Sequence, residues 1–385
     1  MNFELNDDQR AYADMAKSFS DKELEPFAAY WDERQVFPKE TLARAGKLGL
    51  CGLYAPVSCG GLGLSRLDSS LIFEELARGC TSTTAFITIH NMATWMICEF
   101  GKESVKSKWG SDLTSGRKLA SYCLTEPNAG SDAGSLSTKA TLRGDHYIID
   151  GAKIFSSGAG DTDLLLVMAR TGASGTSGIS AFVLKSNTEG ISFGRKESKL
   201  GWNSQPTRSI AFDQVKVPKE QMLGEEGDGF KIAMMGLDGG RINIASCSIG
   251  TAQIAFEKAR DFTHERKQFG KSISQFQGLR FKLADMNTNL VCARQMVRLG
   301  ASKLDTNHPD KTVYCAMAKR MATDKCFWIC DEAMQIFGGI GYIKEYPLER
   351  YLRDTRVHRI LEGTNEIMRL IISNRVLNDA SENIL

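Results

Sequence analysis

The stretch "DLLLVMAR", residues 163–170, is the clearest of several short apolar or alternating segments in the middle of the chain. Three others are "HYIIDG", "GISAFVL" and "RSIAFDQVKVP", at 146–151, 178–184 and 208–218. Their length and pattern are typical of β-strands, and Gly, Ser and Asp stand between them. Because no helix of comparable length separates these strands, we predict an antiparallel sheet or barrel rather than a series of βαβ units.

Helical patterns flank this strand region on both sides. The segments at 67–79 and 83–101 both end at glycine, as helix C-termini often do. After residue 228, apolar residues recur in steps of three and four, which predicts helices packed in a bundle. We interpret the two stripes as hydrophobic core, with oligomer contact as the alternative. They are Leu279, Leu283, Met286, Leu290, Ala293 and Val297, and Ala322, Cys326, Ile329, Ala333 and Ile336.

The composition is that of an ordinary globular protein of two or three domains, with 385 residues, 42% hydrophobic and 24% charged. The 48 basic and 46 acidic residues give no electrostatic reason to expect nucleic acid or an anionic membrane as a partner. No apolar run approaches the ~18 residues of a membrane span. The N-terminal residues match neither a signal peptide nor a transit peptide. We therefore expect a bacterial cytoplasmic protein, with the mitochondrial matrix as the alternative.

Several common catalytic motifs are absent. The sequence contains no GxGxxG, GxxxxGK[ST], GxSxG or HExxH, so it offers no Rossmann, P-loop, α/β-hydrolase or zinc-protease signature. The five histidines show no metal-ligand spacing, and the ten cysteines include no CxxC pair. We expect neither a metal site nor a disulfide framework.

Four stretches could carry chemistry, although each has an ordinary structural interpretation. Hydroxyl and backbone N–H groups in "YCLTEPNAGSD" (122–132) could bond a polar ring or phosphate, or form a simple turn. "GAKIFSSGAG" (151–160) offers an aromatic face, or is a strand ending in a turn. "RKQFGKSISQFQ" (266–277) could hold an anion, or be a solvated helix end. The fourth combines "MQIFGGIGY" (334–342) with "RILEGTNE" (359–366), where glycines allow close backbone approach or cap a helix.

Glu362 is the most distinctive residue of the fourth stretch. It follows the apolar pair Ile360 and Leu361 and precedes a helix predicted to begin at Thr364 or Asn365. An acid there either favours the positive end of the helix or removes a proton in a reaction.

Taken together, the four stretches in this order, with the α, β, α zoning, resemble the acyl-CoA dehydrogenase family of flavoenzymes. The resemblance extends over essentially the whole chain, to about Val376. It implies an α+β multidomain protein with an N-terminal α-helical domain (1–117), a middle β-barrel (118–228) and a C-terminal four-helix bundle (229–385). It also implies FAD bound between subunits of a homotetramer, a dimer of dimers.

The resemblance implies three groups of FAD-binding residues. The flavin ring is lined by Tyr122, Cys123, Leu124, Thr125, Glu126, Pro127, Asn128, Ala129, Gly130 and Ser131, and covered by Phe155, Ser156 and Ser157. A neighbouring subunit contributes Arg266, Phe269, Phe276, Gln277, Gln335, Ile336, Phe337, Gly338 and Gly339. The start of the last helix contributes Thr364, Asn365 and Glu366, where a helix N-terminus suits a diphosphate.

The resemblance also implies the catalytic and substrate-binding residues. Glu362 matches the family's catalytic base, and Gly240 stands where a minority of members carry it. Ser131 and the "DGGR" stretch match acyl-CoA contacts, the latter comprising Asp238, Gly239, Gly240 and Arg241. An acid beside apolar neighbours, sealed by substrate, loses water, which raises its pKa and its basicity.

The expected reaction is the α,β-dehydrogenation of a short branched acyl-CoA, with electrons passed to an electron-transfer flavoprotein. Leu361 stands where many straight-chain relatives carry Tyr, which favours isobutyryl-CoA, oxidised to methacrylyl-CoA in valine degradation. The alternatives are 2-methylbutyryl-CoA or another short acyl-CoA, an acyl-CoA oxidase, or an inactive scaffold of the same fold. Related enzymes carry Arg where Asn374 stands, so a CoA contact from Asn374 or Arg375 is not predicted.

Overall fold

The computed structural model describes residues 4–378. The two ends of the predicted domains, residues 1–3 and 379–385, lie outside the described residues. Helices form the N-terminal part as predicted, and a capping box between Asn6 and Gln9 begins the first. These helices are α1 (Asp7–Phe19), α2 (Glu25–Arg34), α3 (Lys39–Lys47), α4 (Arg66–Gly79), α5 (Thr81–Phe100) and α6 (Glu103–Thr114).

The middle of the chain forms one eight-stranded sheet. Its strands are β1 (Ala120–Cys123), β2 (Lys139–Arg143), β3 (His146–Ser157), β4 (Leu164–Arg170), β5 (Ile179–Lys185), β6 (Ile191–Phe193), β7 (Thr207–Pro218) and β8 (Met222–Leu223). The order is β6-β7-β3-β2-β4-β5-β8, with β1 also paired to β4. The pairing is antiparallel, as predicted, except that β1 and β2 run parallel to β4.

Strand β4 is buried on both faces, which explains its unbroken apolar run. Leu165 and Val167 pack inside the curled sheet with Tyr147 of β3 and Phe182 of β5. The alternate residues, such as Leu166, pack outward against a core shared with α5, α6 and α7. Among residues 4–378 no strand pairing joins β6 to β8, so the predicted barrel is open along that seam.

Helices return in the C-terminal part, as predicted. The elements are α7 (Gly229–Glu265), the hairpin β9 (Lys267–Gln268) and β10 (Lys271–Ser272), α8 (Gln277–Asp305), α9 (Lys311–Phe337), α10 (Leu348–Arg356) and α11 (Asn365–Asn378). The three long helices α7, α8 and α9 share one core that contains both predicted stripes, and α11 packs on α9. The start of α11 at Asn365 confirms the predicted helix boundary.

All ten cysteines are free thiols, and all except Cys292 are buried. In the described part of the chain, no helix has the length and apolar character to cross a bilayer. The same residues contain no cluster of His, Cys, Asp or Glu that could hold a metal ion.

Candidate active site

A cavity of about 400 Å³ opens between the sheet, α5, α7 and the segment before α11. Its size is typical of small-molecule sites. Most of its wall is apolar, formed by Ile89, Met92, Leu124, Ile154, Phe155, Trp202, Phe230, Met234, Leu237, Leu361, Ile367 and Ile371. Its ionisable side chains are Tyr122, Asp132, Arg241 and Glu362.

Glu362 enters the cavity from a strained backbone. Its φ is +54°, in the left-handed region, which costs a non-glycine residue about 1–3 kcal/mol. Neighbouring groups hold the segment on both sides. Arg241 Nε donates to the Glu362 carbonyl at 3.5 Å, and Lys319 Nζ donates to the Gly363 carbonyl at 2.8 Å and to Asn365 Oδ1 at 2.9 Å. The strain is therefore maintained by contacts from α7 and α9.

The Glu362 carboxylate is poorly solvated. Its Oε2 atom is fully buried and has no hydrogen-bond partner among residues 4–378. Burial raises the pKa of Glu362 to about 7, although Lys319 and Arg241 act in the opposite direction. Burial also lowers the pKa of Lys319 to about 8, although Glu362 acts in the opposite direction. A carboxylate with a pKa near the working pH is well suited to general-base catalysis.

Gly240 makes room for that carboxylate. A Cβ atom at position 240 would lie 2.1 Å from Glu362 Oε2, far closer than atoms approach without a bond. At Gly239 a Cβ would lie 2.3 Å from the guanidinium of Arg66. The two glycines of the "DGGR" stretch therefore permit close packing under the cavity.

Of the predicted acyl-CoA contacts, Ser131 and Arg241 line the cavity. Asp238 is buried and does not line it. Its carboxylate accepts from Arg241 Nη1 at 2.7 Å and from Thr312 Oγ1 at 2.6 Å. Asp238 thus orients Arg241, and with Gly239 and Gly240 it supports the wall from behind. The substrate contacts of these residues stay predictions.

The first flavin-lining stretch is divided between the cavity and the protein interior. Tyr122, Leu124, Thr125, Gly130 and Ser131 line the cavity. The Tyr122 hydroxyl is buried without a partner in the described chain, and burial raises the Tyr122 pKa above its usual range. The other predicted members lie elsewhere, Cys123 in the sheet core and Pro127, Asn128 and Ala129 in a turn closed by backbone bonds between Glu126 and Ala129.

Glu126 is occupied by structural bonds. Its carboxylate accepts from Lys153 Nζ at 2.7 Å, from Ser137 and from the Thr138 N–H, and Lys153 also donates to the Leu124 carbonyl at 3.0 Å. Burial alone would raise the pKa of Glu126, but Lys153 and these donors lower it to about 2. The predicted role of Glu126 toward the cofactor is untested, whereas its side chain shapes the loop.

Phe155 and Ser157 line the cavity, while Ser156 is buried beside them. The Phe155 ring is 63% exposed, unusually high for an aromatic side chain at a cavity. Phe155 has φ +56°, and so does Trp202, which also lines the cavity. Three strained residues, Phe155, Trp202 and Glu362, therefore surround one cavity, and such strain is concentrated at functional sites.

The residues predicted to act in a neighbouring subunit's site do not line this cavity. Phe262 near the end of α7 stacks on Phe337 at the end of α9 at 4.2 Å, which brings both stretches to one corner of the bundle. Phe269 there is 92% exposed. The predicted residues at this corner are Arg266, Phe269, Phe276, Gln277, Gln335, Ile336, Phe337, Gly338 and Gly339, of which Ile336 and Phe337 are buried in the bundle core. Their predicted role needs a second chain and stays a prediction.

The three residues at the start of α11 differ in their contacts. Thr364 Oγ1 accepts from the Ile367 N–H and caps the helix. The buried Asn365 side chain bonds Lys319, Thr323 and Asp324. Glu366 is exposed and pairs with Arg369. These bonds do not test the predicted cofactor contacts of Thr364, Asn365 and Glu366, which stay predictions.

Several cavity residues have no local sequence signal. Trp202 and Met92 lie in the stretches "GWNSQPTR" (201–208) and "TIHNMATWM" (88–96), which carry no recognisable catalytic or binding pattern. Lys319 lies on a helix stripe whose pattern is typical of core. Only the tertiary structure brings these residues to Glu362.

Comparisons with known proteins agree with this division into three regions. The N-terminal, middle and C-terminal domain models of acyl-CoA dehydrogenases match residues 6–117, 121–215 and 227–377. The chain belongs to the acyl-CoA dehydrogenase family, whose members are flavin-linked oxidoreductases. This confirms the resemblance and the fold inferred from the sequence.

Two relatives share the name "Isobutyryl-CoA dehydrogenase, mitochondrial". The protein from Dictyostelium discoideum is 52% identical over 376 residues, 97% of this chain and 90% of the relative. The protein from Bos taurus is 49% identical over 375 residues, with the same two coverages.

Solved structures have the same shape. Butyryl-CoA dehydrogenase from Megasphaera elsdenii has a TM-score of 0.95 at 40% identity, covering 98% of this chain and 100% of that one. A chain of a structure described as "Electron transferring flavoprotein of Acidaminococcus fermentans: Towards a mechanism of flavin-based electron bifurcation" has a TM-score of 0.96 at 39% identity, with the same coverages. "PigA with FAD and proline" has a TM-score of 0.95 at 28% identity, covering 98% and 99%.

Replacing Gly240 with Ala should slow catalysis, because the new methyl group displaces the Glu362 carboxylate. We expect the rate of flavin reduction by acyl-CoA to fall roughly 10²-fold, the typical effect of a misplacement of about 1 Å. Rapid-mixing absorbance under anaerobic conditions measures this rate. The melting temperature and flavin absorbance serve as controls for folding. A wild-type rate of flavin reduction in the folded variant would contradict a catalytic role for the Glu362 carboxylate.

Replacing Lys319 with Met should shift the pH dependence of kcat/KM. Loss of the buried cation removes a group that lowers the Glu362 pKa, so the acidic limb should move up by about one pH unit or more. Lys319→Arg keeps the charge and serves as the matched control. If the acidic limb of the kcat/KM profile lies at the same pH in Lys319→Met and in the wild type, Lys319 does not lower the Glu362 pKa.

Proposed function

We propose that this protein is an FAD-dependent acyl-CoA dehydrogenase that oxidises isobutyryl-CoA to methacrylyl-CoA, a step of valine degradation, with Glu362 as the general base. The observation that carries the proposal is the buried, unpaired carboxylate oxygen of Glu362 in an apolar cavity. Burial brings its pKa to about 7, so it can accept a proton near neutral pH.

The cavity fits a flavin on two grounds. The exposed Phe155 ring offers a flat apolar face, and the unpaired Tyr122 hydroxyl and the hydroxyl-bearing Thr125 offer polar contacts. A solved relative is described with FAD. When bound, FAD supplies the acceptor for the hydride that leaves Cβ, a task that no side chain can perform.

Glu362 removes the other hydrogen as a proton. The Cα–H bond breaks, the proton passes to the carboxylate, and the electron pair forms the new Cα–Cβ double bond as Cβ loses its hydride. A positioned base contributes about 10²–10⁴-fold to the rate. With the acyl group in the cavity, the apolar wall and the substrate together exclude water, which keeps the carboxylate basic.

The thioester oxygen gains negative charge when Cα loses its proton and needs a hydrogen-bond donor. Within residues 4–378, the N–H of Glu362 takes part in no backbone hydrogen bond. It is therefore available to the thioester oxygen, and the base and the oxyanion donor belong to one residue.

The substrate preference rests on relatives and on the wall next to the base. Two relatives at 52% and 49% identity are named isobutyryl-CoA dehydrogenase. Leu361, Ile89 and Trp202 form an apolar wall close to Glu362. A short branched group fits such a wall, and 2-methylbutyryl-CoA or another short acyl-CoA is the alternative.

The proposed electron acceptor is an electron-transfer flavoprotein, a type of protein named in the description of one similar structure. A homotetramer would bring the exposed corner around Phe269 against another subunit, in line with the predicted shared FAD site. The two mitochondrial relatives support the matrix as location, and a bacterial cytoplasm is the competing prediction.

Replacing Glu362 with Gln should abolish turnover while the yellow flavin stays bound. Gln cannot accept the Cα proton, so we expect a loss of about 10²-fold or more. Anaerobic titration with isobutyryl-, 2-methylbutyryl- and butyryl-CoA measures flavin bleaching, and the wild type should bleach most readily with isobutyryl-CoA. If Glu362 only stabilised the start of the helix, its replacement would lower the free energy of unfolding by roughly 0.3–1 kcal/mol and leave the activity unchanged. Full activity in the variant would refute the assignment.

A further inference from the structure

Trp202 is a cavity residue that takes no part in the proton and hydride transfers, although it belongs to the apolar wall beside Glu362. It lies between β6 and β7, lines the cavity and is 5% exposed. It packs against the fully buried Ala85 and Ile244, and against the partly buried Ile89 and Leu361. Leu361 immediately precedes the base, so the indole forms the wall next to the reacting end of the site.

The backbone around Trp202 is tightly held. Its N–H donates to the buried carboxylate of Asp354 at 2.6 Å, and Arg353 Nη1 donates to the Leu200 carbonyl at 3.1 Å. A Cβ atom at Gly201 would lie 2.6 Å from the Arg353 carbonyl, so the loop fits closely on α10. Asp32 Oδ1 also accepts from Asn203 Nδ2 at 2.9 Å. These bonds keep Trp202 in its left-handed conformation.

The indole itself is fixed by a directed chain of hydrogen bonds. Trp202 Nε1 lies 3.3 Å from Nε2 of the fully buried His358, and His358 Nδ1 lies 2.7 Å from Ser248 Oγ. An indole N–H can only donate, so Nε2 accepts and Nδ1 carries the proton. Ser248 Oγ in turn donates to the Ile244 carbonyl at 2.9 Å. Each donor in this chain of hydrogen bonds has one acceptor, so the bonds fix the orientation of the Trp202 indole.

The chemistry of His358 supports a neutral ring. Burial lowers its pKa to about 3, and the nearby Lys319 acts in the same direction. A protonated His358 would place a second N–H against the indole donor, which cannot accept. His358 therefore remains an acceptor for Trp202 throughout the neutral pH range.

We propose that Trp202 limits the length of the acyl group beyond Cβ, and that His358 and Asp354 are positioning residues that hold its indole in place. This inference rests on the proposed function, because it takes the cavity to bind an acyl-CoA. Ala85 and Ile244 are fully buried behind the ring, so the indole has no space into which to retreat. A long straight chain would have to displace it, whereas a short branched group would not.

The first experiment replaces Trp202 with Leu and compares kcat/KM for hexanoyl-CoA and isobutyryl-CoA. We expect the hexanoyl-to-isobutyryl ratio to rise roughly tenfold or more, the scale on which a pocket discriminates methylene groups. The KM for isobutyryl-CoA should rise more than its kcat falls, because the base stays in place. Trp109→Leu is the matched control, since Trp109 is similarly buried at 6% exposure and does not line the cavity. Its ratio should equal that of the wild type.

The second experiment tests the positioning role of His358. His358→Leu removes the acceptor and should raise the same ratio by about threefold or more, whereas His358→Gln, which can still accept from the indole, should restore most of the selectivity. Trp202→Phe removes the indole donor but keeps a ring. In that background His358→Leu should no longer change the ratio. If His358→Leu does not fold, the other variants still test the inference. A near-wild-type ratio in His358→Gln together with a raised ratio in Trp202→Leu supports it, and a wild-type ratio in Trp202→Leu contradicts it.

The outcomes separate this inference from the proposed function. If isobutyryl-CoA bleaches the wild-type flavin and Trp202→Leu keeps the wild-type ratio, the inference is wrong and the function stands. If Trp202→Leu only weakens flavin binding at an unchanged ratio, Trp202 belongs to the cofactor side, and the inference is again wrong. If no acyl-CoA bleaches the wild type, the proposed function itself fails.

Discussion

Desolvation of one carboxylate is the constraint on which the rest of the site depends. Glu362 Oε2 is buried without a hydrogen-bond partner in the described chain, and burial brings the Glu362 pKa to about 7. Unpaired buried charge is unfavourable, so such a group persists only when the surrounding structure holds it. Basicity and instability therefore have the same physical origin here.

The fold holds Glu362 with elements that are distant in the chain. Gly240 on α7 leaves space for the carboxylate, and Lys319 on α9 binds the Gly363 carbonyl and Asn365 on either side of Thr364. The middle sheet contributes Tyr122 and Phe155 from the opposite wall. The helical bundle thus positions the proposed base, while the sheet contributes the exposed aromatic face of Phe155, and the cavity exists only where the two meet.

The zoning, the main elements and the start of α11 could be predicted because each depends on local periodicity or capping. The apolar neighbours Ile360 and Leu361 suggest that Glu362 is buried, but they cannot establish it, because its burial depends on Gly240, more than a hundred residues away. For Glu126, a sequence resemblance suggests a binding role that the side-chain contacts do not reveal. Glu126 lies in a stretch that resembles a flavin-binding motif, yet its carboxylate is committed to Lys153, a pairing that no local pattern reveals. The predicted cofactor role of the corner around Phe269 requires a second chain and stays a prediction.

The protonation state of Glu362 can be measured directly. Infrared difference spectra between the flavin-loaded wild type and its Glu362→Gln variant isolate the carboxyl C=O stretch of this one residue. Titrated without substrate, the protonated band should disappear with a midpoint near pH 7. A midpoint near the ordinary value of 4.5 would mean that the carboxylate is well solvated, and would contradict a base activated by burial.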